Sequence, residues 1–114
     1  MLSPEKQRLL RICDYCELVA STIERFGATY DAFIADIDYQ QSISFSILQI
    51  GELVANLPEP LKSSTSFQIN WSQIKGMRNV IAHHYGKIDY EILWNAAVVD
   101  IPALKTFCEA LIQA

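Results

Sequence analysis

Between Trp71 and Tyr85 the chain gathers the side chains best suited to phosphate chemistry: Lys75, Arg78, Asn79, His83, His84 and Tyr85. Arginine meets phosphate oxygens with a planar fork of donors, and histidine, with a reference pKa of about 6.5, moves protons near neutrality. Cleaving RNA without a metal needs a base for the 2′-hydroxyl proton, an acid for the leaving oxygen and a cation for the phosphorane charge. Two imidazoles and two guanidiniums suffice for that. Metal-assisted hydrolysis fits less well, since the region holds no His/Asp/Glu cluster with ligand spacing, so neither a metal nor a cofactor is expected. A Gly-rich phosphate loop and a nucleophile-elbow serine are missing from the sequence as well.

These residues must be carried by a helix. Asn70 is placed to open it, Gln73 to close a capping box, and Gly86 to stop it after about His84. At about 100° per residue, Trp71, Ile74, Met77, Val80, Ile81 and His84 share one arc, and Lys75, Arg78, Asn79, Ala82 and His83 the complementary one. His84 therefore reads as a core or edge imidazole, and His83 as the one that meets phosphate. Arg78 and His83 lie about 140° apart and about 7.5 Å along the axis, too far to grip one atom together. Two copies meeting across a two-fold axis would place both pairs in one cleft, so a homodimer is expected. Tyr85, seven residues after Arg78, returns to nearly its angle and should stand at the rim of the same surface.

Charge is distributed to match. The chain sums to 9 − 13 = −4, yet residues 60–88 hold Lys62, Lys75, Arg78 and Lys87 with no acid. Residues 1–59 sum to −5 and residues 89–114 to −3, so a compact basic stretch sits inside an acidic protein and suits a polyanion.

The remaining elements follow from spacing. With 114 residues, one domain over 1–114 is expected, burying roughly 65% of its unfolded surface, for which 51% apolar residues are enough. Gly 4 and Pro 4 are too few for a sandwich or a low-complexity chain, and helices are favoured. Ser3-Pro4-Glu5 starts a helix whose apolar stripe runs from Leu9 to Phe26 before Gly27 stops it. Thr29 caps a second, predicted to run unbroken from about Tyr30 to Leu57 until Pro58 and Pro60 end it. That helix is apolar on two sides. One side carries Phe33, Ile37, Ile47, Ile50 and Val54; the other carries Ile34, Phe45, Leu48 and Gly51. Two partners are needed, either two neighbours in a monomeric bundle, or the core and a second copy that Ser42, Ser44, Ser46 and Gly51 let come close. Residues 58–70 read as a loop with one helical turn, and Asp89 caps a last helix that Pro102 kinks or restarts after Asp100. An all-α up-and-down bundle of four to six helices follows.

Cys13, Cys16 and Cys108 are an odd number of thiols, two of them on one side of a helix, which suits core cysteines in a reducing compartment better than a zinc knuckle. The first eleven residues hold no apolar block of signal-peptide length and no run is long enough to span a bilayer, so a cytoplasmic protein without a membrane partner is expected.

The run from Arg78 to Tyr85 is Arg-x4-His-x-Tyr, and with its flanks it resembles the HepT toxins of the HEPN superfamily. Those flanks are Leu48-Gln49-Ile50-Gly51-Glu52, Trp71 through Asn79, and Ile88-Asp89-Tyr90 with Trp94; the likeness covers about residues 8–110. The resemblance implies a homodimeric toxin of a type VII-like toxin-antitoxin system, an endoribonuclease with Arg78 and His83 as its catalytic pair and Asn79 as their polar companion. It also implies a neighbouring MNT-type nucleotidyltransferase antitoxin that transfers AMP from ATP to Tyr85. An added phosphodiester charge and base there would fill and neutralise the site.

Two other readings remain open at this level. The basic cleft can hold nucleotide or RNA without cutting, as the accessory subunit of a nucleotidyltransferase. Alternatively, Arg78 is a structural partner of Glu52 or Asp89. Whether Asp38, Gln49 or Glu52 joins the site is not settled by spacing.

Overall fold

The computed structural model describes residues 3–83 and 88–113. Helix α1 covers Pro4–Phe26, opened by Ser3 Oγ accepting from the Lys6 N–H at 3.1 Å. Gly27 closes it with φ 115°, a conformation that side chains disfavour, and donates its N–H to the Ile23 carbonyl. Helix α2 covers Tyr30–Ile34 under the Thr29 cap, and α3 covers Ile37–Ala55. The single helix expected over 30–57 is therefore two.

The break has a physical cause. Asp36 Oδ1 accepts from the N–H groups of Asp38 and Tyr39 at 2.9 and 3.3 Å, while the Gln40 amide donates to the carbonyls of Phe33 and Ile34. The donors that start α3 and the acceptors that end α2 are thus satisfied by side chains. On one straight helix Phe33 and Tyr39 would point about 120° apart. The break turns both inward, where their rings meet edge to face at 5.2 Å and pack with Phe26 and Trp94. The Tyr39 hydroxyl donates to the Gly27 carbonyl at 2.9 Å, locking the hairpin between α1 and α3.

Helix α4 (Glu59–Ser64) is the one helical turn expected in the 58–70 loop, α5 covers Trp71–His83, and α6 (Tyr90–Asn95) starts on the Asp89 cap. Ala96–Asp100 then wind as π-helix, with the Ile101 N–H reaching back five residues to Ala96, before α7 (Ile101–Gln113). The restart expected after Asp100 is made by this wider turn, and Pro102 simply takes the second position of α7.

Because Tyr90–Gln113 is one continuous rod, the described residues form six helical rods, the all-α bundle expected. In it α3 lies between α1 and α5, and α1 packs also against α7, where Lys105 Nζ meets Glu17 Oε1 at 2.7 Å. One broad face of α3 is thus covered within the chain, where Ile43, Ser46, Ile47, Ile50, Gly51 and Val54 are buried. Ser46 and Gly51, expected to admit a second copy, are spent on these internal contacts; Ile34, Ile37 and Phe45 stay exposed. Among the described residues no helix is long and apolar enough to cross a membrane.

Candidate functional site

Helix α5 is fixed first at its N-terminus. Asn70 Oδ1 accepts from the Gln73 N–H at 3.1 Å, and Gln73 in turn donates to Asp100 Oδ2 at 3.1 Å, tying α5 to the π-helical segment. Burial raises the Asp100 carboxyl above the usual carboxylate range. Trp71 donates its indole N–H to Thr65 Oγ1 at 3.0 Å and meets Phe107 edge to face at 5.6 Å. Trp71, Ile74, Met77 and Ile81 form the buried stripe that the spacing predicts.

Arg78 does not lie on the open arc expected for it: seven residues after Trp71, at about 700°, it returns to within about 20° of that buried indole. Its stem crosses α3 at Gly51, and its side chain is 26% exposed. Nε lies 3.1 Å from Glu52 Oε1, but the N–H is not directed at that oxygen, so the contact is an ion pair without a hydrogen bond. Nε is therefore a buried donor with no hydrogen-bond acceptor among the described residues. Most buried donors in folded proteins have a partner, so this one is free to meet an oxygen from outside the described residues. Lys75 and Asn79, either side of Arg78, are exposed.

The contact also settles which acid approaches Arg78. Glu52 does; Asp38 sits fourteen residues earlier, in the first turn of α3, about 21 Å away along the axis. Asp89 is engaged as the cap of α6, accepting from Glu91 and Ile92. His83 is the last residue of α5, five beyond Arg78. The expectations for the His83 side chain, His84, Tyr85, Gly86 and Lys87 fall outside the described residues.

Two features of the site escape sequence reasoning, the Gly51–Arg78 crossing and the Gln73–Asp100 tie. The first left a trace, a lone glycine inside a predicted helix interior. The second joins residues 27 apart and left none. Among the described residues no three His, Cys, Asp or Glu side chains are grouped to hold a metal ion. Cys13, Cys16 and Cys108 are free thiols at the α1–α7 contact, and burial pushes Cys108 up to about 12.

A family model described as Ribonuclease HepT-like matches residues 12–111. A candidate RNase of Caldanaerobacter subterraneus subsp. tengcongensis is 29% identical over 105 residues, 92% of this chain and 91% of that one. A candidate ribonuclease HepT of Thermococcus cleftensis is 30% identical over 103 residues, 86% of this chain and 93% of that one. A candidate RNase of Methanocaldococcus jannaschii is 35% identical over 74 residues, 65% and 60% of the two chains. No solved structure matches the chain.

Proposed function

Given that this chain belongs to the Ribonuclease HepT-like family, we propose that it is a metal-independent endoribonuclease toxin that works in the cytoplasm as a homodimer. Arg78 and His83 of each subunit form one composite cleft, assisted by Asn79 and Lys75. One imidazole takes the 2′-hydroxyl proton, the freed oxygen attacks phosphorus, and the other imidazole protonates the departing 5′-oxygen. The arginine forks hold the charge that develops on the phosphoryl oxygens. The products are a 2′,3′-cyclic phosphate and a 5′-hydroxyl.

The observation that carries this reading is the half-buried Arg78, held at its root by Gly51 and keeping a buried Nε donor without a hydrogen-bond acceptor among the described residues. The pair with Glu52 favours a purely structural role less, because that carboxylate is 52% exposed and such pairs contribute about 0–1 kcal/mol. Exposed Phe45, on the same face of α3 as Leu48 and Glu52, supports a second copy docking beside Arg78.

Silencing is the second part of the proposal. The antitoxin, an MNT-type nucleotidyltransferase, brings ATP to Tyr85; the phenolic oxygen attacks the α-phosphorus and pyrophosphate leaves. The deciding experiment is His83→Ala in the purified dimer, which abolishes RNA cleavage while melting temperature and RNA affinity stay near those of the native chain. Cleavage at the native rate in that variant removes His83 from the mechanism.

A further inference from the structure

The acid-free stretch 60–88 is only partly used by Arg78. Two more of its cations, Lys62 on α4 and Lys75 on α5, line a cleft of about 690 Å³ between the end of α3, α4 and the start of α5. Lys62 is preset there. Its side chain is 14% exposed, and its ammonium donates to the Val54 carbonyl at 3.3 Å, near the C-terminus of α3, with Glu59 Oε2 at 3.6 Å. An ammonium has three protons, so these contacts fix it and still leave donor capacity toward the cleft. Lys75 is exposed and makes no ion pair among the described residues. Ser63, Ser66 and Ser72 add hydroxyls to the same walls.

The cleft continues the Arg78 site. Lys75 precedes Arg78 by three residues, about 4.5 Å along α5 and about 60° around it. The turn between α4 and α5 adds an aromatic at the margin: Phe67, next in the chain to the lining residue Ser66, is 81% exposed. Two cations, one of them held in place, with an uncovered ring on the adjoining turn are what single-stranded nucleic acid needs, since phosphates track the charge and any base can stack on the ring.

We propose that this cleft is a subsite for single-stranded RNA flanking the bond cut at Arg78, with Lys62 and Lys75 on successive phosphates and one base stacked on Phe67; its link to cleavage rests on the nuclease reading above. Glu59 tunes it. Its exposed carboxylate competes with phosphate for Lys62 and repels the strand.

The test measures binding in the His83→Ala protein, so that the probe stays whole. The probe is a labelled single-stranded oligoribonucleotide of about 12 nucleotides, within the span of about 4–16 that such grooves cover, with a dinucleotide as control. Phe67→Ala lowers oligonucleotide affinity on the order of tenfold. Lys62→Gln, which keeps a donor for the Val54 carbonyl, flattens the slope of log affinity against log salt by about 0.7. Glu59→Gln tightens binding, and none of the three changes the dinucleotide. The proposal is overturned if the oligonucleotide does not bind, if all three variants bind it with native affinity and salt slope, or if a duplex competes as well as the single strand. Binding that depends on Phe67 and Lys62, together with no RNA cleavage by the chain that keeps His83, would refute the nuclease reading and leave the subsite standing; binding that depends on neither residue, with native cleavage by the same variants made on the His83 chain, would do the reverse.

Discussion

Gly51 and Arg78 meet where α3 crosses α5, so closely that a Cβ at Gly51 would stand 2.5 Å from the Arg78 Cβ and 3.1 Å from its Cγ. The clash would be at the root of the arginine, where no rotamer change relieves it. The missing side chain of one residue thus sets the position of the guanidinium of another.

Gly51→Ala tests this directly. Alanine at a helix interior gains about 1 kcal/mol over glycine, whereas forcing a methyl group into a packed contact costs about 1–3 kcal/mol. The clash wins, and a net loss of up to about 2 kcal/mol is expected in chemical denaturation, with RNA cleavage falling further than stability does. A variant as stable and as active as the native chain would show that the helices do not need to be so near.

Arg78→Lys separates charge from geometry. Lysine keeps the cation but loses the planar fork. Cleavage should drop on the order of 10²-fold, comparable to losing one transition-state donor, while the melting temperature barely moves because the Glu52 pair is half exposed. Equal cleavage by both proteins would mean that a point charge is enough. A large melting shift without loss of cleavage would return Arg78 to a structural role.

Regulation is read by intact mass. On the silencing proposed above, co-expression with an MNT-type nucleotidyltransferase should add AMP units to the chain and suppress cleavage, and Tyr85→Phe should remove both effects. Suppression of an unmodified chain would point to inhibition by occlusion.

The buried thiols give a pH signature. Cys108 is raised from 9.0 to about 12, chiefly by desolvation, and Cys16 is raised for the same reason. An acid whose folded pKa is raised releases its proton more easily once unfolded, so stability is complete below about pH 9 and is lost as pH climbs from 9.0 toward 12. Denaturant midpoints should be level from neutrality to that point and fall beyond it, and Cys16→Ala/Cys108→Ser should lessen the fall. At neutral pH both thiols stay protonated and should react with an alkylating reagent only after unfolding; rapid alkylation of Cys16 or Cys108, as distinct from the half-buried Cys13, in the folded chain would contradict their burial.

How much of this was legible in the sequence depended on whether the cause was local. Ser3, Gly27, Thr29, Asn70 and Asp89 mark their helix ends because a cap is satisfied within a few residues. The buried stripe of α5 follows from period alone. Asp36 was equally able to cap, yet the break it makes between α2 and α3 depends on packing Phe33 and Tyr39 against Trp94, a residue far along the chain. In the site, residue types and spacing singled out Arg78, and its angle close to Trp71 already marks a covered stem, but one helix alone could not show that α3 does the covering, nor that Glu52, among three candidate acids, is the one within reach.

The π-helical segment Ala96–Asp100 acts as a phase shifter in the last rod. Leu93 before it and Leu104 after it are both fully sealed, although α6 packs on α2 and α7 on α1. Removing a single residue from that stretch would turn the rod into one regular screw and rotate its two halves by about 100° relative to each other. Only one of the two leucines could then keep its seat, so the length of this segment is as tightly constrained as the identity of its side chains.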